Sequence, residues 1–94
     1  MNHSPTEIQI VSHIRPKDTL IDVRHPTEVE QKPLDIAAVE PINIPFFNFE
    51  QQLDSLDKAS SYLLYCDKGI MSRIQAQVMR EKGFNQIAIF TPDV

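Results

Sequence analysis

The sequence predicts a small α/β domain with a mostly parallel central sheet flanked by helices. Its 94 residues allow a single domain, 1–94, since one hydrophobic core usually needs roughly 100 to 150 residues. Apolar residues make up 41% and charged residues 23% of the chain, which is typical of a globular protein. Short apolar or β-branched runs alternate with helical patterns, and this alternation predicts parallel strands joined by helices.

The first half of the chain contains short elements, because six of its seven prolines lie there. Glu7–Val11 alternates enough for an edge strand, and the β-branched run Thr19–Val23 is typical of a buried strand. A short helix is expected from Pro26, with Glu28 near its positive end. Ile42–Ile44 predicts one further short strand.

The second half contains the longer elements. Apolar residues at helical spacings of three, four and seven predict an amphipathic helix, formed around Phe46, Phe49, Leu53 and Leu56. Ser61–Tyr65 is apolar on both faces, as expected of a central strand, and Gln86–Phe90 is the last strand.

The clearest helix is predicted over Ser72–Lys82, which contains neither Gly nor Pro. Ile74 and Val78 would lie on one face of that helix. Gly83 suits a left-handed cap at its end.

The lone cysteine, Cys66, follows the predicted central strand directly. Ligands of parallel sheets bind beyond the carboxyl ends of the strands, so Cys66 lies where a site is expected. The turn after it contains Gly69, which permits a tight curl, and leads into a helix start. Inward amides and the helix dipole would stabilise a thiolate, the nucleophilic form. Lys68 would add to this if its side chain points inward, and Ser72 would cap the helix or bind sulfur.

An unpaired intracellular cysteine is most often a small buried apolar residue. The strand, the glycine-containing turn and the helix start together favour a functional cysteine. Three separated histidines and one cysteine form no metal-ligand spacing, and no glycine-rich nucleotide loop is present. We therefore expect no metal and no cofactor, and we expect His25 to be exposed rather than a base for Cys66.

The segment Cys66–Arg73 resembles the active-site loop of the rhodanese-type sulfurtransferases. Asp18–Arg24 resembles the early strand of that family that ends in Asp-Val-Arg, and Ile42–Pro45 resembles its Ile-Asn-Ile-Pro strand. More narrowly, the chain is similar to the carboxyl-terminal rhodanese domain of tRNA 4-thiouridine synthetases in five places: Tyr65–Arg73, Gln75-Ala76, Arg80-Glu81, Gly83-Phe84-Asn85 and the ending after Phe90. The resemblance covers nearly the whole chain and implies a rhodanese-like fold.

The resemblance implies that Cys66 accepts a sulfane sulfur as a persulfide and relays it, as in tRNA thiolation or thiamine thiazole synthesis. Asp22 and Arg24 match motif positions that we interpret as structural support. The implied donor is a cysteine desulfurase, and the acceptor domain or protein would supply a second cysteine. The implied substrate-binding loop consists of Asp67, Lys68, Gly69, Ile70, Met71, Ser72 and Arg73.

Three alternatives stay open. A free-standing thiosulfate sulfurtransferase is one, although Met71 stands where many such enzymes have an Arg. A cysteine phosphatase or arsenate reductase of this fold is the second, although Arg73 comes one residue later than the arginine those enzymes use to grip an oxyanion. A non-catalytic interaction module is the third.

The charge of the chain limits its partners. Nine basic and thirteen acidic residues give a net charge of −4, which argues against direct nucleic-acid binding by this domain. No apolar run approaches the roughly 20 residues that span a bilayer, and no secretory signal is evident, so we expect a cytoplasmic protein without membrane contact. Phe47 does not lie on the apolar face of the helix predicted around Phe49, so it is a candidate for partner contact.

Overall fold

A computed structural model describes residues 8–34 and 40–92. Five strands form one parallel sheet in the order β1-β5-β4-β2-β3. The strands are β1 (Gln9–Val11), β2 (Asp18–Asp22), β3 (Ile42–Asn43), β4 (Ser61–Tyr65) and β5 (Gln86–Phe90). The predicted α/β class and the central position of Ser61–Tyr65 are confirmed. The start of the edge strand expected over Glu7–Val11 lies outside the described residues.

Three α-helices are described: α1 (Pro26–Gln31), α2 (Phe49–Gln52) and α3 (Ile70–Glu81). The prediction of one continuous amphipathic helix around Phe49 is wrong. A 3₁₀ turn precedes α2 and another follows it, although Phe49 and Leu53 are buried as the spacing predicts. None of the helices in the described ranges is long and apolar enough to cross a bilayer.

Helix α3 starts two residues earlier than predicted, and its buried face is different. Ser72, Gln75, Ala76 and Met79 are buried, whereas Ile74 is 48% exposed. The face expected from Ile74 and Val78 is therefore displaced around the helix axis. Gly83, at φ +100°, follows α3 in the left-handed conformation, as predicted.

The core is divided by the sheet. The larger cluster lies on the face covered by α2 and α3 and includes Phe49, Leu64, Met79 and Cys66. A smaller cluster of Leu20, Leu63, Ala88 and Phe90 lies on the other face, with Ile14 and Leu34 packed against it. Strand β4 is consequently buried on both faces, which fixes the position of the residue that follows it.

Candidate active site

Cys66 lies directly beyond the carboxyl end of β4 and only 8% of its surface is exposed. The chain then makes a three-residue turn and enters α3 at Ile70. Since β4 is the central strand, the turn is held by the most buried part of the sheet. The position of the cysteine is therefore set by the core of the sheet.

Two backbone amides converge on the cysteine sulfur. The N–H of Gly69 donates to Cys66 Sγ at 3.0 Å, and the N–H of Ser72 donates at 3.2 Å. Both donors belong to the start of α3, where amides have no partner within the helix and the helix dipole is positive. This arrangement favours negative charge on the sulfur.

Gly69 makes this geometry possible. It has φ +81° and forms the amino-terminal cap of α3. A residue with a side chain would be strained in that conformation, even though a Cβ placed there would meet no atom within 4 Å. The constraint is thus on the backbone and not on the space around it.

The remaining amides of the loop are unused. Those of Asp67, Lys68, Ile70 and Met71 form no hydrogen bond with any residue that the structure describes. Unpaired amides in the loop that follows the cysteine are potential donors to an anionic atom that extends from its sulfur.

Ser72 does not cap the helix, because the cap position belongs to Gly69 and no side chain bonds there. The Ser72 hydroxyl accepts a hydrogen bond from the Cys66 thiol at 3.5 Å and donates to the Gly69 carbonyl at 3.2 Å. The hydroxyl therefore ties the cysteine to the backbone of its own loop. Ser72 is fully buried, so these contacts exclude water.

Four of the predicted loop residues form no hydrogen bond with the cysteine sulfur. Lys68 is exposed and lines a groove with Gly69 and Ile70. Asp67 and Arg73 are exposed as well. Met71 is half-buried, and its Sδ accepts a hydrogen bond from Gln75 Nε2 at 3.4 Å.

Asp22 and Arg24 form a buried ion pair at the carboxyl end of β2. Arg24 Nη2 lies 2.8 Å from Asp22 Oδ2, and Arg24 Nε contacts both carboxylate oxygens at 3.0 and 3.2 Å. The guanidinium also lies over the Tyr65 ring, 5.0 Å from its centroid. Because Tyr65 precedes Cys66, the pair packs against the residue next to the cysteine.

Asn43 and Tyr65 also contact the Asp22–Arg24 segment beside the candidate site, and the sequence alone did not single them out. The Asn43 amide donates to the carbonyls of Asp22 and Arg24 at 2.8 and 3.1 Å and so holds the end of β2. Burial raises the pKa of Tyr65, and Asp67 adds to the shift while Arg24 opposes it. Asn43 lies within the Ile-Asn-Ile-Pro segment, so a signal was present, but its contacts depend on strand pairing.

His25 is exposed, as expected, and it serves as a cap. Its Nδ1 accepts from the Thr27 amide at 3.1 Å, while Glu28 accepts from the His25 amide at 3.2 Å. The ring lies 5.4 Å from that of Phe47, which is 57% exposed. His25 therefore stabilises the start of α1 and forms no hydrogen bond with Cys66.

The described residues form a parallel α/β domain with one buried cysteine at the carboxyl end of its central strand. The rhodanese-like domain model matches residues 9–91, and the chain belongs to that family. Its curated relatives with the same domain are named tRNA sulfurtransferases.

One such relative is the tRNA sulfurtransferase of Pectobacterium carotovorum, which is 41% identical over 92% of this chain. The chain spans 18% of the length of that relative. The single domain sulfurtransferase of Saccharomyces cerevisiae superposes with a TM-score of 0.71 at 20% identity, covering 89% of this chain and 83% of that one. A human single domain sulfurtransferase superposes with a TM-score of 0.68 at 18% identity, covering 81% of this chain and 76% of that one. These two similarities concern the fold.

Proposed function

We propose that Cys66 accepts a sulfane sulfur as a persulfide and relays it to an acceptor. The observation that carries this proposal is the pair of amides on Cys66 Sγ, at 3.0 and 3.2 Å. They favour the thiolate that attacks sulfur and need no metal or base.

The loading step is a thiolate exchange. The Cys66 thiolate attacks the outer sulfur of a donor persulfide, a new S–S bond forms at Cys66, and the S–S bond of the donor breaks. The donor cysteine leaves as a thiolate, so atoms and electrons balance without an added oxidant. The outer sulfur of the product carries negative charge. The unused amides of Ile70 and Met71 lie at the positive end of α3 and are suited to hold it.

The release step requires a second protein group. Cys66 is the only cysteine of the chain, so a thiol that resolves or reduces the persulfide must come from another domain or protein. We propose a cysteine desulfurase as donor in the reducing cytoplasm, where an unpaired thiol persists.

The acceptor we propose is the remainder of a larger enzyme, or a protein equivalent to it. The tRNA sulfurtransferase relatives are several times longer than this chain, which matches only 18% of their length. Sulfur carried by Cys66 would then enter tRNA thiolation or thiazole synthesis. With a net charge of −4, the domain would leave RNA binding to the other parts.

Thiosulfate is a weaker candidate for the donor. A small dianion needs a cation beside the sulfur, and the loop position where an Arg would serve is occupied by Met71, bonded to Gln75. Phosphate-ester or arsenate chemistry is disfavoured because Arg73 is exposed and contacts neither Cys66 nor its amides.

The test is sulfur loading measured by mass spectrometry. We expect the chain to gain one sulfur atom at Cys66 after incubation with a cysteine desulfurase and cysteine, and to lose it on reduction. Cys66→Ala is the control and should gain none. The proposal is overturned if wild-type protein remains unmodified, or if the variant gains sulfur equally. Survival of the biological function in Cys66→Ser would instead support a non-catalytic module.

A further inference from the structure

A groove of about 390 Å³ lies beside the active-site loop, between α3 and the β1 edge of the sheet. Three of the large apolar side chains that are exposed in the described ranges line it. Ile10 is 48% exposed, Ile70 67% and Ile74 48%. Exposed apolar residues occur singly on most surfaces, so their convergence in one groove indicates a contact surface.

The backbone explains why these side chains meet. Ile70 and Ile74 are four residues apart on α3 and therefore project from the same face of the helix. Ile10 pairs in register with Ile89, which belongs to the core cluster beneath α3, so Ile10 is on that face of the sheet too. β1 is an edge strand, and no described strand lies beyond it. The groove therefore exposes apolar side chains at the edge of the hydrophobic core, next to the buried Ile89.

The rim of the groove is positively charged. Lys68 and Arg73 line it, and neither forms an ion pair with a described residue. Lys17, Lys32 and Lys58 likewise form no ion pair with a described residue, but they do not line the groove. Two unpaired cations at the edge of an apolar groove are complementary to an acidic surface.

The groove is continuous with the active site. Gly69 lines it, and the amide of Gly69 donates to Cys66 Sγ at 3.0 Å. A protein bound in the groove would therefore contact a residue that is hydrogen-bonded to Cys66. Because Cys66 is 8% exposed, a donor cysteine must be brought to the loop at close range.

We propose that this groove is the docking surface of the sulfur-donor protein. The donor would insert an apolar side chain between Ile10, Ile70 and Ile74. It would place carboxylates of the same segment near Lys68 and Arg73. This inference rests on the proposed function, since it concerns how a persulfide carried by another protein reaches Cys66.

The apolar part of the groove is tested with matched Ile→Thr variants. The quantity measured is the ratio of two loading rates in each variant, with ³⁵S-loaded cysteine desulfurase as one donor and glutathione persulfide as the other. We expect the ratio to fall several-fold in Ile10→Thr and in Ile74→Thr, and about tenfold when both are changed. Ile42→Thr is the control, because Ile42 is 47% exposed on the far edge of the sheet and should keep the wild-type ratio.

The charged rim is tested separately. Arg73→Glu should lower the same ratio by about tenfold, and added salt should reduce the wild-type ratio more than that of the variant. Lys17→Glu makes the same charge change at an exposed position next to the start of β2, and we expect it to keep the wild-type ratio. Thermal unfolding of each variant identifies any loss of folding.

The outcomes separate the two proposals. If wild-type protein takes no sulfur from either donor, the proposed function fails. If wild-type protein loads from the desulfurase and folded groove variants keep its ratio, the docking surface is wrong. A photo-crosslinker at position 74 that captures the desulfurase supports the docking surface. Capture of a second copy of the chain, or of its own residues 1–7, overturns it.

Discussion

The two ends of the sheet each bury an acidic group, and they stabilise it differently. At the amino end, the Asp18 carboxylate accepts hydrogen bonds from the Ser61 hydroxyl at 2.6 Å and from Arg15 Nη2 at 3.1 Å, and its other oxygen accepts from the Arg15 amide at 2.9 Å. At the carboxyl end, Cys66 Sγ accepts from two backbone amides, and four amides around it are unused.

The difference is consistent with a structural role at the amino end and with the reactive role that we propose for Cys66 at the carboxyl end. Asp18 is bonded by a counter-ion, a hydroxyl and one backbone amide. Cys66 Sγ is bonded by two backbone amides and the Ser72 hydroxyl, and no cationic side chain bonds to it, so its partners favour negative charge through dipoles. The donors at the carboxyl end are supplied by the start of α3, which the amino end lacks.

The largest expected effect is on the buried ion pair beside the reactive end. Asp22→Asn leaves the Arg24 guanidinium buried without its counter-ion, because both side chains are almost completely enclosed. We expect a loss of about 3 to 5 kcal/mol in the free energy of unfolding, measured with urea. A loss no greater than that of Asp18→Asn would show that both ends tolerate the change equally.

The next effect concerns the two glycines with positive φ. Gly69→Ala and Gly83→Ala each force a side chain into the left-handed region, without a steric clash in either case, and should each cost about 1 to 2 kcal/mol. Sulfur loading should slow in Gly69→Ala alone, because the amide of Gly69 contacts Cys66 and that of Gly83 does not. Equal slowing in the two variants, compared at equal folded fraction, would contradict the role of the loop.

A smaller effect is expected at the amino end. Burial opposes ionisation of Asp18, but hydrogen bonds from Arg15 and Ser61 outweigh it and lower the pKa of Asp18. A carboxyl pKa that is lower in the folded state contributes stability above the unfolded-state value of about 3.9. That contribution is lost as the pH falls through the folded-state pKa.

Asp18→Asn tests this directly. It should cost about 1 kcal/mol near neutral pH, because Arg15 is largely exposed and its charge is screened. It should also flatten the dependence of unfolding free energy on pH below about pH 4. Sulfur loading should be unchanged, and a changed rate would show that the two ends are coupled.

The smallest effect is expected from Ser72→Ala. This variant removes the hydroxyl that contacts Cys66 Sγ at 3.5 Å but keeps the Ser72 amide at 3.2 Å. We expect the rate of Cys66 alkylation to change by a few-fold, equivalent to less than about 1 kcal/mol. A loss of a hundredfold or more would show that the side chain, and not the amides, activates the sulfur.

Local patterns predicted the strands well and the helices less well. Alternation and β-branching identified β2, β4 and β5 within one residue of their ends. The spacing around Phe49 identified buried residues but not the 3₁₀ turns on either side of α2. The buried face of α3 was mispredicted because Ser72 and Gln75 are buried by the loop and its contacts, which hydrophobicity does not report.

The sequence by itself determined the fold class, the position of Cys66 after the central strand, and the glycine that the turn requires. These depend on neighbouring residues, whose backbone preferences and periodicity are local properties. Only the tertiary structure decided which amides contact the sulfur, that Lys68 is exposed and forms no hydrogen bond with it, and that Ile10 meets Ile70 and Ile74 in one groove. Those contacts join residues from separate strands and helices, and they exist only once the sheet has set the strand order.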